Sequence, residues 1–293
     1  MRRAGARSWG AISTRLRIIG YSVAAQTLGE IVAFIYHIEL TNACDLTCSY
    51  CPLTESTRPR SVMSDETFEK VIAHMKKRSP LNFMILHHFG EPLLHPRLPQ
   101  FIRRAAEARL NPGFSTNGEK LNRDLFRELI QNGLRWMCIA FHTPAGEAAF
   151  HECRDLAREH QLVYWGRHLE GGEQAHDPNA ILGYGIERQQ LHSFAGTVAS
   201  EEPRPSGWRP ACDYLDRGFV CVLHDGRVVP CAMDEAATNV LGTVDDLDSI
   251  QHAPSYELCR SCQGFTFYDS FRGLMKNVVE QQPTRLATDH WMA

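Results

Sequence analysis

Cys44-Asp45-Leu46-Thr47-Cys48-Ser49-Tyr50-Cys51 places three thiols within eight residues, in the spacing C-x3-C-x2-C. Three thiolates on one short loop can converge on a common centre, and soft sulfur selects zinc or an iron–sulfur cluster. On a cubane cluster three protein ligands leave one iron open, and an open iron can hold a ligand that takes part in chemistry. Zinc held by three cysteines and one histidine fits the same spacing. A second group lies near the C-terminus, where Cys212 and Cys231 are followed after a longer connection by Cys259 and Cys262. The piece Phe219 to Cys231 reads as a β-hairpin turning at Asp225-Gly226, with alternating apolar residues on both sides. Cross-strand pairing can bring Cys212 and Cys231 together, with Cys259 and Cys262 arriving from a later helix start. Four thiolates suit either a structural zinc ribbon or a closed cubane.

The elements that must position these groups follow from hydrophobic periodicity. The run Phe34 to Leu40 is strand-like and leads directly into the first cysteine loop. Pro52 to Met63 is polar and reads as a loop. Ser64-Asp65-Glu66 starts a helix whose apolar face is Phe68, Val71, Ile72 and Met75, and Lys76-Lys77-Arg78 complement its C-terminal end. The pattern then repeats. Strands are expected at Phe83–Leu86, Pro112–Ser115, Trp136–Phe141 and Leu162–Trp165. Helices are expected at about Leu98–Arg109, Asn122–Asn132 and Glu147–His160. Alternation at this spacing predicts βαβ units on a parallel sheet, whose ligands gather beyond the C-terminal ends of the strands. Gly166 to Pro210 carries no strong periodicity and is expected to hold a degenerate last unit, with a boundary near residue 205.

The cysteine loop, with an aromatic residue just before its third cysteine, resembles the signature of the radical S-adenosylmethionine (SAM) superfamily. The resemblance implies a [4Fe–4S] cluster on Cys44, Cys48 and Cys51, with SAM on its fourth iron. Reductive cleavage of SAM would yield a 5′-deoxyadenosyl radical that takes a hydrogen atom from a substrate. Phe89-Gly90-Glu91-Pro92 is similar to the family's Gly-Gly-Glu-Pro motif, with Phe89 in place of the first glycine. Ser115-Thr116-Asn117-Gly118 after the third strand resembles a second SAM-contacting element, and His142 ends the fourth strand where relatives place a polar SAM contact. The implied SAM contacts are therefore Tyr50, Gly90, Glu91, Pro92, Ser115, Asn117 and His142. Each motif alone is as well read as a turn; their order after successive strands gives them weight.

The C-terminal cysteines resemble the shortened twitch form of the SPASM-like auxiliary domains of this superfamily, which holds one further [4Fe–4S] cluster. Four ligands would saturate it, which implies an electron-transfer role. The fold implied is α/β: a partial (β/α)6 radical SAM barrel over 34–205 with a β-hairpin-plus-helix auxiliary domain over 206–268. A basic extension, 1–33, precedes the barrel, and a tail, 269–293, follows. Within the superfamily the pattern resembles enzymes that oxidise aminocyclitol alcohols in aminoglycoside-type antibiotic biosynthesis. That implies two-electron oxidation of a secondary alcohol to a ketone on a sugar or aminocyclitol, fed by a donor such as flavodoxin or ferredoxin. The alternatives are a radical epimerase with a cysteine thiol as hydrogen donor, thioether formation on a peptide, and a non-catalytic zinc-binding protein. Glu170, before Gly171-Gly172, stands where such enzymes have a substrate-contacting arginine, and suits an aminated substrate or a base. His88 is placed to reach the cavity, and Cys153 is the spare thiol that could serve as donor.

Composition narrows the remaining classes. The chain has 293 residues, 43% hydrophobic and 22% charged, enough to bury a substantial core. A formal net charge of −3 leaves no electrostatic footprint for nucleic acid. Ten cysteines in short-spaced groups favour metal sites in a reducing cytoplasm over a disulfide scaffold. Arg2, Arg3, Arg7, Arg15 and Arg17 precede the first acidic residue, Glu30, and the apolar part beyond them is too interrupted to predict a spanning helix.

Overall fold

A computed structural model describes residues 33–78, 83–170, 184–190, 194–195, 205, 207–208, 210–262 and 264. The basic extension (apart from residue 33) and the C-terminal tail lie outside these residues, as do Gly171 and Gly172. Six parallel strands form the frame: β1 (Phe34–Ile38), β2 (Phe83–Ile85), β3 (Asn111–Thr116), β4 (Trp136–Phe141), β5 (Val163–Glu170) and β6 (Ile186–Gln190). They lie in the order β6-β5-β4-β3-β2-β1. The degenerate last unit is thus β6, in register with β5 from Gly166–Ile186 to Glu170–Gln190. Its polar sequence, Ile-Glu-Arg-Gln-Gln, hides it from hydrophobic periodicity. Likewise β5 extends well beyond its apolar start, because backbone pairing with β6 continues through Arg167 and His168.

Four helices connect these strands: α1 (Asp65–Arg78), α2 (Leu98–Glu107), α3 (Arg123–Gln131) and α4 (Pro144–Glu159). Ser64 caps α1 by accepting from Thr67 N at 3.1 Å. Asn122 caps α3, receiving Asp124 N and Leu125 N. Helix α4 starts at Pro144, ahead of the expected Glu147, because Thr143 accepts from Gly146 N and proline fits the first turn. Phe68, Val71, Phe101, Phe126, Phe150, Met137, Ile139 and Tyr164 build the core between helices and sheet. On the opposite face of β4 and β5, Trp136 stacks on Phe83 and Trp165, with centroids 5.2 and 6.0 Å apart.

The C-terminal segment does not form a sheet of its own. Helix α5 (Asp213–Arg217) leads into β7 (Phe219–Val222), which pairs in parallel with β1. Strands β8 (Arg227–Val229) and β9 (Gly242–Thr243) then continue antiparallel, giving one nine-stranded sheet. The turn between β7 and β8 falls at Asp225-Gly226 as the sequence predicts, with Gly226 at φ +85°. Among the described residues no helix is long and apolar enough to cross a membrane.

Candidate active site

The first cysteine loop leaves β1 at its C-terminal end and folds back on itself. Cys51 N donates to Cys48 O at 3.0 Å, Thr54 Oγ1 to the same carbonyl at 2.9 Å, and Leu46 N points at Cys44 Sγ from 3.5 Å. All three thiols are partly exposed and free. Burial pushes the Cys44 thiol up to about 11 and raises that of Cys51. A bound metal must therefore displace protons that the fold alone retains.

Gly90 and Glu91 press against this loop. Glu91 N donates to Ala43 O at 2.8 Å, and Gly90 adopts φ +82° directly under Thr41 and Ala43. The Glu91 carboxyl is buried and accepts from Leu93 N (2.9 Å), Thr116 Oγ1 (2.7 Å) and Asn117 N (2.8 Å). Burial pushes it up to about 7, against the pull of those three donors. Glu91 thereby ties the end of β2 to the end of β3. Asn117 in turn donates through Nδ2 to Asp45 Oδ1 at 2.8 Å and lies 4.0 Å from Cys44 Sγ. Pro92 opens the short 3-10 turn Pro92–Leu94 capped by Glu91. Ser115 lies within β3, in register with Cys138 of β4.

His142, just past β4, meets the third cysteine's neighbour. Tyr50 Oη stands 2.5 Å from His142 Nδ1, and Cys48 Sγ 3.8 Å from the same nitrogen. Burial lowers the His142 pKa. The structure thus brings Tyr50, Gly90, Glu91, Asn117 and His142 against the Cys44–Cys51 loop, with Pro92 opening the next turn. His37 Nδ1 donates to His87 O at 2.6 Å, and desolvation lowers both imidazoles to about 3.

Cys153 and His88, expected to take part in catalysis, are both buried. Cys153 is 0% exposed in the core between α4 and the sheet, where burial pushes its thiol up to about 12. A hydrogen donor must reach the substrate on the strand-end face, and Cys153 instead packs in the core. His88 is buried as well. Its Nε2 stands 3.2 Å from Ala232 O and its Nδ1 3.5 Å from Glu39 Oε2, so both nitrogens face oxygens of the protein. Glu170 ends β5, and its side chain lies outside the described atoms.

Three residues that sequence reasoning passed over, Glu39, Arg58 and Glu235, form a buried cluster, with His88 standing against Glu39. Arg58 grips Glu39 through Nη1–Oε1 (2.9 Å) and Nη2–Oε2 (2.7 Å), and reaches Glu235 Oε1 at 3.2 Å. His224 Nδ1 adds a 2.7 Å contact to Glu39 Oε1. A charged residue inside the strand-like run Phe34 to Leu40 was the available signal for Glu39.

The four C-terminal cysteines line one cleft with Pro210, Tyr214 and Tyr256. Backbone N–H groups address their sulfurs: Tyr256 N to Cys259 Sγ at 3.4 Å, and Gly264 N to Cys262 Sγ at 3.3 Å. Such donors stabilise thiolate ligands, so the set fits a cluster. Among the described residues no three Cys, His, Asp or Glu side chains stand close enough to grip a single ion. A cubane, whose ligands sit on separate irons, needs a wider spacing.

Residues 38–165 match the family model described as Radical SAM superfamily. A curated relative from Niallia circulans, the S-adenosyl-L-methionine-dependent 2-deoxy-scyllo-inosamine dehydrogenase, is 30% identical over 214 residues, 71% of this chain and 77% of that protein. The chain belongs to the radical SAM superfamily. Membership makes it a radical SAM enzyme, with a [4Fe–4S] cluster and SAM as the implied cofactors. A tungsten-containing aldehyde ferredoxin oxidoreductase cofactor-modifying protein of Pyrococcus furiosus is 28% identical over 98 residues, which span only 28% of its length. Among solved structures, BtrN in complex with AdoMet and 2-DOIA superposes with TM-score 0.57 at 18% identity, covering 78% of this chain and 92% of that one. Streptococcus suis SuiB bound to precursor peptide SuiA gives 0.54 at 10% identity, covering 85% and 72%. At these identities the structural likeness speaks for the partial-barrel fold.

Proposed function

We propose that this radical SAM enzyme is an oxidoreductase that converts a secondary alcohol of a sugar or aminocyclitol to a ketone. Cys44, Cys48 and Cys51 hold the SAM-binding cluster, and Cys212, Cys231, Cys259 and Cys262 an auxiliary one. When bound, the first cluster and SAM supply hydrogen-atom abstraction from carbon, and the second supplies the acceptor for the electron left behind. Asn117 and Glu91 fix the ends of β3 and β2 beside Cys44. Tyr50 and His142 close the opposite side beside Cys48. The observation that carries the reading is the second, four-cysteine cleft with N–H groups aimed at its sulfurs. Oxidation calls for an electron acceptor of that kind, and Cys153, the thiol expected as donor in an epimerase, packs in the core.

The test is anaerobic turnover of the cluster-loaded enzyme with dithionite, SAM and 2-deoxy-scyllo-inosamine, the substrate in the Niallia relative's name, beside a panel of aminocyclitols and sugars in heavy water. The expected outcome is 5′-deoxyadenosine together with a product that has lost two hydrogens. A product of unchanged hydrogen count carrying solvent deuterium would establish the epimerase instead.

A further inference from the structure

Glu39 is 0% exposed, Arg58 7% and Glu235 4%, yet all three carry ionisable side chains. Each belongs to a segment that serves a cysteine site. Glu39 follows β1 directly and precedes Cys44. Arg58 lies in the loop after Cys51. Glu235 lies in the loop after Cys231. Arg58 joins the other two: it is bidentate on Glu39 and donates through Nε and Nη2 to Glu235 Oε1 at 3.2 Å. Two further loops reach Glu39, through His224 at the β7–β8 turn and His88 before Gly90. His88 also holds Ala232 O, next to Cys231.

Burying three charges carries a desolvation penalty that well-packed apolar residues would avoid, so such a network is weak as a source of stability. What it does supply is a fixed register between loops that leave the sheet after different strands. The segment that follows Cys51 is otherwise tied to its own side of the molecule: Asn42 and Thr41 pair with Pro59, Ser61 and Val62, Met63 reaches Leu40 O and His95, Thr54 reaches Cys48 O, and Arg60 reaches Asn42 O and Leu53 O. None of these touches the C-terminal cysteine unit.

We infer that the Glu39–Arg58–Glu235 clamp is a positioning device that couples the two cysteine sites. Closure of the C-terminal site around its cluster seats Glu235 on Arg58, and this tightens the 52–63 loop beside Cys51 and the SAM site. The inference rests on the reading that the four C-terminal cysteines hold a cluster. Arg58 and Glu235 act here only through the loops they hold, and neither is a catalytic residue.

Hydrogen exchange by mass spectrometry on the full chain tests this, with iron and sulfide analysis of every sample. In the wild-type protein the iron count decides first whether the auxiliary cluster exists, and its absence would remove the underlying reading rather than the coupling alone. With both clusters present, Glu235→Gln should speed exchange in residues 52–63 and 232–239 together by about tenfold or more, and weaken SAM binding several-fold at unchanged iron content. The double variant Cys259→Ala/Cys262→Ala, which retains Cys44, Cys48 and Cys51, should loosen the 52–63 loop to the same extent. Adding Glu235→Gln to that background should then change the loop no further. The coupling is overturned if Glu235→Gln loosens only 232–239, or if its effect on 52–63 persists in full after the auxiliary cysteines are gone. Should Glu235→Gln fail to load its clusters, Arg58→Lys keeps the charge but loses the bidentate grip, and the same paired loosening is expected.

Discussion

Gly90→Ala and Gly226→Ala change the same atom count at nearly the same backbone conformation, φ +82° and φ +85°. Each forces an alanine into the left-handed region, at a cost of about 1–2 kcal/mol. Their surroundings differ. A Cβ at Gly226 would meet only side-chain atoms at 3.6 Å or beyond, which is ordinary contact. A Cβ at Gly90 would lie 2.2 Å from Thr41 O and 2.9 Å from Ala43 O, both backbone. Relief requires the Thr41–Ala43 backbone to retreat by roughly 1 Å, which a packed loop does not absorb without losing bonds. The bonds at risk are Glu91 N to Ala43 O and the Thr41 Oγ1 contacts to Ser61 O and Ala43 N. At about 1 kcal/mol each, their loss places Gly90→Ala some 2–3 kcal/mol below Gly226→Ala. Urea unfolding of the metal-free proteins at constant m-value measures that gap. Because Cys44 directly follows Ala43, reconstituted Gly90→Ala should also carry about four irons per chain fewer, while Gly226→Ala keeps its full complement. Equal stability losses and equal iron contents would refute the close-approach argument.

Tyr50→Phe removes the hydroxyl at His142 Nδ1. A partly exposed hydrogen bond of about 1 kcal/mol translates into roughly fivefold weaker SAM binding by calorimetry, with iron content unchanged. Cys153→Ala should lower stability by about 1–2 kcal/mol and leave the product and its deuterium content as in wild type, since the thiol lies in the core; loss of turnover in a folded, loaded variant would return Cys153 to the site. His37 and His87 are held neutral in the fold, down at about 3, so the unfolded chain binds more protons than the native one between that value and the ordinary 6.5. Stability is then fully present above pH 6.5 and falls as pH drops, by up to about 1.4 kcal/mol per pH unit for each ring. Glu91, held up at about 7, works the other way between 4.5 and 7, so denaturant midpoints should fall by about one ring's slope from pH 6.5 to 4.5, and His37→Gln should nearly flatten that window.

The strand and helix frame was legible because its apolar residues repeat at two and at three to four positions, and caps such as Asn122 are local. What escaped depended on partners far along the chain. Strand β6 is polar and exists because β5 offers it a parallel edge, so no property of Ile186–Gln190 alone announces it. The three cysteines of the first loop were evident from spacing, and Gly90 and Asn117 from the order of the motifs. The role of Glu91 was not: its carboxylate is consumed by Leu93, Thr116 and Asn117, a tie between strand ends that sequence distance conceals. The Glu39 hub was hidden for the same reason, since Arg58 and Glu235 lie 177 residues apart.

The pairing of β7 with β1 gives the two cysteine groups a common origin. In an isolated six-stranded parallel sheet β1 would be an exposed edge, with unpaired backbone groups along Phe34 to Ile38. Strand β7 satisfies that edge through the register Phe34–Phe219 to Ile38–Val222. The first cysteine loop departs from the end of β1, and Cys231 follows β8, which hangs from β7 by two pairings. Both sites are therefore suspended from one pair of adjacent strands, and their gross separation is set by sheet geometry. The loops that close over the sites are not set that way, because each leaves the sheet after its strand ends. Glu39, one residue past β1, is the first position from which both loops can be reached, and there the chain places a carboxylate with Arg58 and His224 on its two oxygens. The sheet fixes where the two sites lie, and the buried charges fix how their loops face each other.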